Sequence, residues 1–193
     1  MLSLIDSDIV CFRCAATAEN DPEWVATART NTLVEQILGD TGATEYKLFL
    51  SGANNFRKKI YPLYKANREG RPVPKHLNAC RLFVVDKWQA EVVDGYEADD
   101  ALGIGQIETS TICSIDKDLL QVPGKHWNFV KREGQYITPE RGLREFYTQL
   151  LVGDPGDNVK GCPGIGKAKA PRILEGCETE DEMFEACRDA YAD

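Results

Sequence analysis

The sequence lacks several features that would restrict its class. No apolar run is long enough to span a bilayer, and no basic-then-apolar leader opens the chain. The 193 residues include only two histidines, and the seven cysteines are scattered without a regular paired spacing. Cys11 and Cys14 form a single CxxC motif, and no second CxxC or suitable His follows it. A disulfide framework and a zinc site are therefore not expected. We predict a cytoplasmic protein without membrane association, in which Cys11 and Cys14 are reduced and buried one helical turn apart.

Negative charge outweighs positive charge, but the two are segregated. The chain has 23 Lys and Arg against 31 Asp and Glu, which gives a formal net charge of −8. Taken alone, this balance argues against binding the phosphates of a nucleic acid. The Lys and Arg residues, however, gather in residues 56–71 and 159–172. A basic surface beside an acidic site is therefore compatible with the composition.

The order of the apolar segments predicts an α/β fold. Strand-like segments alternate with helix-like segments, which favours a mostly parallel central sheet flanked by helices, with ligands at the carboxyl ends of its strands. We expect one domain, residues 1–193. The predicted strands are residues 1–6, 46–50, 91–95 and 109–116 and two short strands within 126–138. The predicted helices are residues 9–18, 23–39, 76–88, one from 96, one from Pro139 and short ones in the tail.

Acidic residues recur at the ends of the predicted strands or just beyond them. Crowded carboxylates raise one another's pKa unless cations bind between them, and oxygen ligands with almost no His favour Mg²⁺ or Mn²⁺. A helix cap or a solvated surface explains any single acid equally well, and Asp8 is better explained as a cap. The recurrence nevertheless predicts a metal site. Its predicted ligands are Asp6, Glu97, Asp99, Asp100, Asp116, Asp118, Asp154 and Asp157.

The spacing within Glu97-Ala98-Asp99-Asp100 bears on the number of ions. On a helix, Glu97 and Asp100 share a face, whereas Asp99 points away from it. One ion therefore cannot easily bind all three acids. Two ions, or contacts through water, are expected, and a pair of ions is the arrangement that serves phosphodiester hydrolysis.

The segment FRKKIYPLYKANR interleaves positive charge with aromatic rings. Its cations would neutralise phosphates, and its rings could stack on an unpaired base. Because Pro62 argues against a long regular helix, we expect a mobile or partly ordered arch within residues 53–75. An ordinary amphipathic surface helix is the alternative. The residues concerned are Arg57, Lys58, Lys59, Tyr61, Tyr64, Lys65 and Arg68.

The segment GCPGIGKAKA places glycines where the backbone must turn tightly. Gly161, Gly164 and Gly166 would expose backbone N–H groups, and Lys167 and Lys169 would add charge, so the segment predicts an anion site that grips phosphates without reading base sequence. It is not a Walker loop, because no Ser or Thr follows the Gly-Lys pair.

Taken together, these motifs resemble the 5′-nuclease family, which includes flap endonucleases, bacteriophage 5′-to-3′ exonucleases and the 5′-nuclease domain of bacterial DNA polymerase I. The match covers LIDSDIVCFR, FRKKIYPLYKANR, GYEADDALG, SIDKDLL and GDPGDNVKGCPGIGKAKA in the family's order. The resemblance implies a PIN-like core in residues 1–150, including the basic arch, and a helix-hairpin-helix portion in residues 151–193. It also implies that the eight acids bind Mg²⁺, with Mn²⁺ as a substitute, in two positions.

The resemblance assigns further roles to single residues. Lys65 and Arg68 would contact the scissile phosphate, and Arg13 would contact another phosphate. Arg57, Lys58, Tyr61 and Tyr64 would belong to the DNA-contacting arch. The segment from Gly161 to Lys169 would hold duplex DNA and a K⁺ ion. The partners would be DNA with a 5′ flap or 5′ end, or an RNA–DNA hybrid, together with a replication polymerase or a single-strand binding protein, and the chain would act as a monomer in a bacterial or phage-infected cell.

The sequence departs from the family's pattern in two places. Leu50 or Ser51 stands where the family usually has an Asp after its second strand, so one carboxylate is missing and the affinity for a second ion is open. The chain also stops soon after the hairpin motif. The leading hypothesis is a metal-dependent 5′ nuclease. The alternatives are a PIN-type ribonuclease and a DNA-junction binding protein with weakened catalysis.

Overall fold

The computed structural model describes residues 1–192. Six strands form the central sheet: β1 (Leu2–Asp6), β2 (Glu45–Asn55), β3 (Glu91–Gly95), β4 (Ser110–Cys113), β5 (Gly124–Asn128) and β6 (Glu133–Ile137). Their order in the sheet is β3-β2-β1-β4-β5-β6. The pairs β1–β2, β1–β4, β2–β3 and β4–β5 are parallel, which confirms the predicted mostly parallel sheet.

The helices are α1 (Ser7–Thr17), α2 (Glu23–Thr41), α3 (Phe56–Ile60), α4 (Leu77–Trp88), α5 (Ala98–Gly105), α6 (Pro139–Val152), α7 (Ala170–Ile173) and α8 (Glu180–Ala192). The second helix does not end at Gly39 as predicted. It continues to Thr41, because Gly42 at φ 60° supplies the left-handed residue that ends it. None of the helices in residues 1–192 is long and apolar enough to cross a membrane.

The first compact unit comprises residues 1–56, 71–119 and 124–136. Its main hydrophobic core joins the sheet to α1, α2 and α4 through side chains that include Ile5, Val34, Leu48 and Val84, all at most 1% exposed. Cys11 and Cys14 are buried in α1, as predicted. Burial raises the pKa of both thiols, so they are suited to packing and not to reaction. All seven cysteines are free.

The second compact unit comprises residues 57–70, 120–123 and 137–192. Residues of α6, α7 and α8 share a separate hydrophobic cluster with Leu151, Leu174 and Met183 at its centre. Two short antiparallel strands, β7 (Gly153–Asp154) and β8 (Val159–Lys160), follow α6. This division differs from the predicted boundary at residue 150. Helix α6 belongs with the tail because it packs on the tail's own cluster, and residues 57–70 are bonded to the loop between β7 and β8.

Candidate functional site

Asp6 stands at the carboxyl end of β1 and caps α1. Its Oδ1 accepts a hydrogen bond from the Ile9 N–H at 3.1 Å, and its Oδ2 accepts one from the Ser114 hydroxyl at 2.7 Å. The side-chain cap predicted for Asp8 is therefore made by Asp6, because the backbone turns into the helix one residue after the strand. Asp6 is 1% exposed. Burial raises its pKa to about 6, and the charge of Asp116 adds to the increase, whereas the bonds from Ser114 and Ile9 oppose it.

Asp116 and Asp118 lie in the loop after β4. The Ser114 hydroxyl that donates to Asp6 also accepts from the Asp116 N–H at 3.0 Å, and the Asp118 N–H donates to Asp116 Oδ1 at 2.9 Å. Lys117 pairs with Asp118 at 2.8 Å. Strand β4 ends at Cys113, earlier than predicted, because the chain turns at Ser114 to make these bonds. Serine 114 thus links the acids after β1 and β4, a role that the sequence analysis missed.

Glu97, Asp99 and Asp100 stand at the amino-terminal end of α5. Glu97 is the N-cap, and it forms a reciprocal capping box with Asp100, whose Oδ2 accepts from the Glu97 N–H at 3.0 Å. Asp99 and Asp100 lie in the first turn, where the helix dipole favours negative charge. The three acids are therefore presented from one fixed helix end, next to strand β3.

The donor chemistry of these side chains fits a hard divalent cation. They offer carboxylate oxygens, and Asp6 is a buried carboxyl whose ionisation a cation would favour. Within residues 1–192, no group of three or more His, Cys, Asp or Glu side chains is already arranged to hold an ion. The eight-ligand set consequently stays a prediction, with Asp6, Asp116 and Asp118 joined by hydrogen bonds and Glu97 and Asp100 joined by the capping box.

In the second unit, Asp157 holds the predicted cationic residues of the arch. Tyr64 donates its hydroxyl proton to Asp157 Oδ2 at 2.7 Å, and Lys65 Nζ lies 3.7 Å from the same oxygen. Arg68 forms an ion pair with Asp157 Oδ1. Lys65 has a left-handed backbone conformation, with φ 56°, and its N–H donates to the Asp157 carbonyl at 2.9 Å. Such a conformation in a non-glycine residue is uncommon and is found at functional sites.

Further bonds fix the same segment to the loop between β7 and β8. Asn67 Nδ2 donates to the Pro155 carbonyl at 2.7 Å, and Arg68 Nε donates to the Gly156 carbonyl at 3.0 Å. Asn158 Nδ2 donates to the Leu63 carbonyl at 2.8 Å. Residues 61–68 of the predicted arch form turns and a short 3₁₀ helix that are bonded to this loop, and the mobility of the arch stays a prediction. Sequence reasoning missed both Asn67 and Asn158. For Asn158, its place in the GDPGDN motif was an available signal.

The other predicted arch residues differ in their accessibility. Tyr64 is 7% exposed, so its ring cannot stack on a base in this conformation, while Lys65 Nζ lies 5.0 Å and Arg57 Cζ 5.9 Å from the ring centre. Tyr61 is half-buried and donates to the Asn158 carbonyl at 3.2 Å. Lys58 is exposed. Arg13 is likewise exposed, on α1 of the first unit.

The glycine-rich segment combines a structural glycine with exposed ones. A Cβ at Gly161 would overlap the backbone of Val152 and Gly153, so this position needs glycine for the close approach of two chain segments. Gly164 has φ 73°, and nothing lies within 4 Å of a Cβ at Gly166. Asp154, which precedes this segment, accepts from the Gly156 N–H at 2.8 Å. Lys167 and Lys169 are exposed, and α7 has four residues, so a regular helix-hairpin-helix stays a prediction.

Comparison with known proteins places these features in a family. The model for "5′-3′ exonuclease, N-terminal resolvase-like domain" matches residues 1–148. The thermostable DNA polymerase I of Thermus thermophilus is 30% identical over 176 residues, which cover 82% of this chain and 21% of that protein. A 5′-3′ exonuclease of Halalkalibacterium halodurans is 26% identical over 157 residues, covering 70% and 52%. The chain spans between 16% and 21% of the length of these polymerases.

Solved structures share the fold at low sequence identity. The bacteriophage T5 D15 protein, co-crystallised with metal ions, superposes with a TM-score of 0.76 at 15% identity, covering 99% of this chain and 84% of that one. The T5 D15 flap endonuclease in a complex with DNA and metal ions gives a TM-score of 0.73 at 15% identity, with 98% and 88% covered. The profile match over residues 1–148 and the similarity to the polymerases together show that the chain belongs to the 5′-3′ exonuclease family.

Proposed function

We propose that the chain is a divalent-metal-dependent 5′ nuclease that hydrolyses phosphodiester bonds near the 5′ ends of DNA, or of RNA–DNA hybrids, during replication. The observation that carries the proposal is the set of bonds at Asp157. This predicted metal ligand holds both Lys65 and Arg68, the cations predicted to contact the scissile phosphate. Cations beside a carboxylate of a metal site are what a phosphate needs in order to be bound and neutralised.

The predicted acids would hold the ions, and the bacteriophage T5 D15 protein, which was co-crystallised with metal ions, supports a dependence on divalent metal. When bound, divalent ions lower the pKa of water and stabilise charge on phosphoryl oxygens. Ser114 would keep Asp6 and Asp116 in their orientation through its two hydrogen bonds. The capping box would do the same for Glu97 and Asp100. The capacity for two ions is a further part of the proposal.

The cations of the chain would bind and orient the substrate. Lys65 and Arg68 would transfer their interaction from Asp157 to the phosphate and stabilise the charge that develops there. Arg13, Lys167 and Lys169 are exposed, as backbone phosphate contacts require. A K⁺ ion at Gly161 to Lys169 and a replication polymerase or single-strand binding protein as partner complete the proposal.

A cleavage assay tests this function. A 5′-labelled flap, a nicked duplex and an RNA–DNA hybrid are incubated with the protein in Mg²⁺, Mn²⁺ or EDTA, and the products are sized at nucleotide resolution. We expect cleavage near 5′ ends that requires the divalent ion. The double variant Asp116→Asn with Asp118→Asn should lose it. The matched control, Asp86→Asn with Glu108→Gln, removes two exposed acids elsewhere and should keep it.

Other outcomes point to the alternative functions. Tight flap binding without cleavage would indicate a DNA-junction binding protein, and cleavage of single-stranded RNA in preference to flaps would indicate a PIN-type ribonuclease. Unchanged cleavage in the Asp116 and Asp118 double variant would refute the assigned metal ligands.

A further inference from the structure

Ser51 lies within β2, and its N–H, its carbonyl and its hydroxyl are all hydrogen-bonded. Its N–H donates to Asp8 Oδ2 at 2.8 Å, and its carbonyl accepts from Arg81 Nη2 at 2.6 Å. Its hydroxyl accepts from the Ala98 N–H at 2.9 Å. A residue engaged at three points by three different helices has a fixed position.

Asp8 and Arg81 bind the backbone of Ser51 and also bind each other. Arg81 Nη1 forms an ion pair with Asp8 Oδ1. Asp8 also accepts a hydrogen bond from the Ser51 N–H, and Arg81 also donates one to the Ser51 carbonyl. The side chain of Arg81 is 28% exposed and that of Asp8 is 30% exposed. Because the ion pair is also hydrogen-bonded to the backbone and partly shielded from water, it restrains Ser51 more strongly than an exposed pair would. This arrangement accounts for Asp8, which does not cap α1.

The Ser51 hydroxyl acts on the helix that carries three of the predicted metal ligands. Ala98 is the first residue of α5, and N–H groups in a first turn have no partner within the helix. Asp100 satisfies the N–H of Glu97, and Ser51 satisfies that of Ala98. Ser51 therefore fixes the point where α5 begins relative to β2.

We propose that Ser51, held by Asp8 and Arg81, is a positioning residue that sets the orientation of Glu97, Asp99 and Asp100 for binding a divalent ion. The inference rests on the proposed function, because it requires that these acids bind an ion. A serine hydroxyl accepts from Ala98 without adding negative charge to the site, whereas an ionised carboxylate would add one charge.

Calorimetric titration with Mn²⁺ tests the inference in the full chain. Ser51→Ala removes the hydroxyl. Ser51→Thr and Ser51→Val have nearly the same shape, but only the Thr variant keeps a hydroxyl. The control is Ser110→Ala, since the Ser110 hydroxyl accepts from the Ile107 N–H at 2.8 Å, just beyond the other end of α5. Urea unfolding of each variant records the stability that each hydroxyl contributes.

We expect Ser51→Ala and Ser51→Val to weaken Mn²⁺ binding by about 10- to 100-fold, as the loss of a residue that orients metal ligands does. Ser51→Thr should bind close to the parent, and Ser110→Ala should bind like the parent in spite of its lost hydrogen bond. Equal Mn²⁺ affinity in the Thr and Val variants, or an equal loss in Ser110→Ala, overturns the positioning role alone. A parent protein that binds no Mn²⁺ overturns both this role and the proposed function. If Ser51→Ala does not fold, the Thr and Val pair still decides.

Discussion

Replacing Asp6 by Asn should stabilise the metal-free protein near neutral pH. The folded protein raises the pKa of this carboxyl from 3.8 to about 6, chiefly by burial. The ionised form is therefore disfavoured in the folded state by roughly 3 kcal/mol, since one pKa unit corresponds to about 1.4 kcal/mol. An Asn side chain can still accept from the Ile9 N–H with its oxygen and can donate to the Ser114 oxygen with its nitrogen.

The dependence on pH follows from the direction of the shift. A carboxyl whose pKa is higher in the folded state favours folding fully below pH 3.8, and this contribution is lost as the pH rises through about 6. The metal-free parent should therefore gain stability relative to Asp6→Asn when the pH falls from 7.5 to 5. Because the comparison is made between two proteins with the same remaining acids, the titration of those acids largely cancels.

Urea unfolding in EDTA measures the effect. At pH 7.5, Asp6→Asn should be more stable than the parent by about 3 kcal/mol, and the advantage should shrink at pH 5. Asp8→Asn is the control, since it loses the ion pair with Arg81 and should be destabilised at both values. The reasoning is wrong if Asp6→Asn is no more stable than the parent at pH 7.5, or if its advantage is the same at pH 5. Added Mg²⁺ should stabilise the parent and not Asp6→Asn.

Three other predictions test the second unit. Tyr64→Phe removes the hydrogen bond to Asp157 and should lower the free energy of unfolding by about 1 kcal/mol and speed trypsin cleavage within residues 57–70, as seen by mass spectrometry. Gly161→Ala should destabilise by about 3 kcal/mol in urea because of backbone overlap, whereas Gly166→Ala should change stability little. Lys65→Ala should reduce single-turnover flap cleavage by about 100-fold, with similar loss in Mg²⁺ and in Mn²⁺.

The strands and their terminal acids could be predicted from the sequence because their signals are local. A short apolar segment that ends in an acid, as in β1, is visible within a few residues, and the parallel order of the strands follows from the helices between them. The end of α2 was placed at the wrong glycine because Gly39 and Gly42 carry the same local signal. Only the left-handed backbone at Gly42 distinguishes them.

The bonds of individual side chains could not be predicted in this way. Tyr64 and Asp157 are 93 residues apart in the chain, so the burial of that ring left no pattern in the basic segment. The same holds for Ser51, whose partners Asp8, Arg81 and Ala98 come from three separate helices. In each case the residue type is common and only the fold supplies the partner.

Asp6 and Asp157, two of the predicted metal ligands, are stabilised in different ways before an ion is bound. In the first unit, burial favours the protonated form of Asp6, so an ion that binds there must displace a proton. In the second unit, Lys65 and Arg68 neutralise Asp157, so an ion that binds there must displace cations. Occupancy at Asp6 should therefore increase with pH between about 5 and 7, whereas occupancy at Asp157 should release Lys65 and Arg68 for a phosphate.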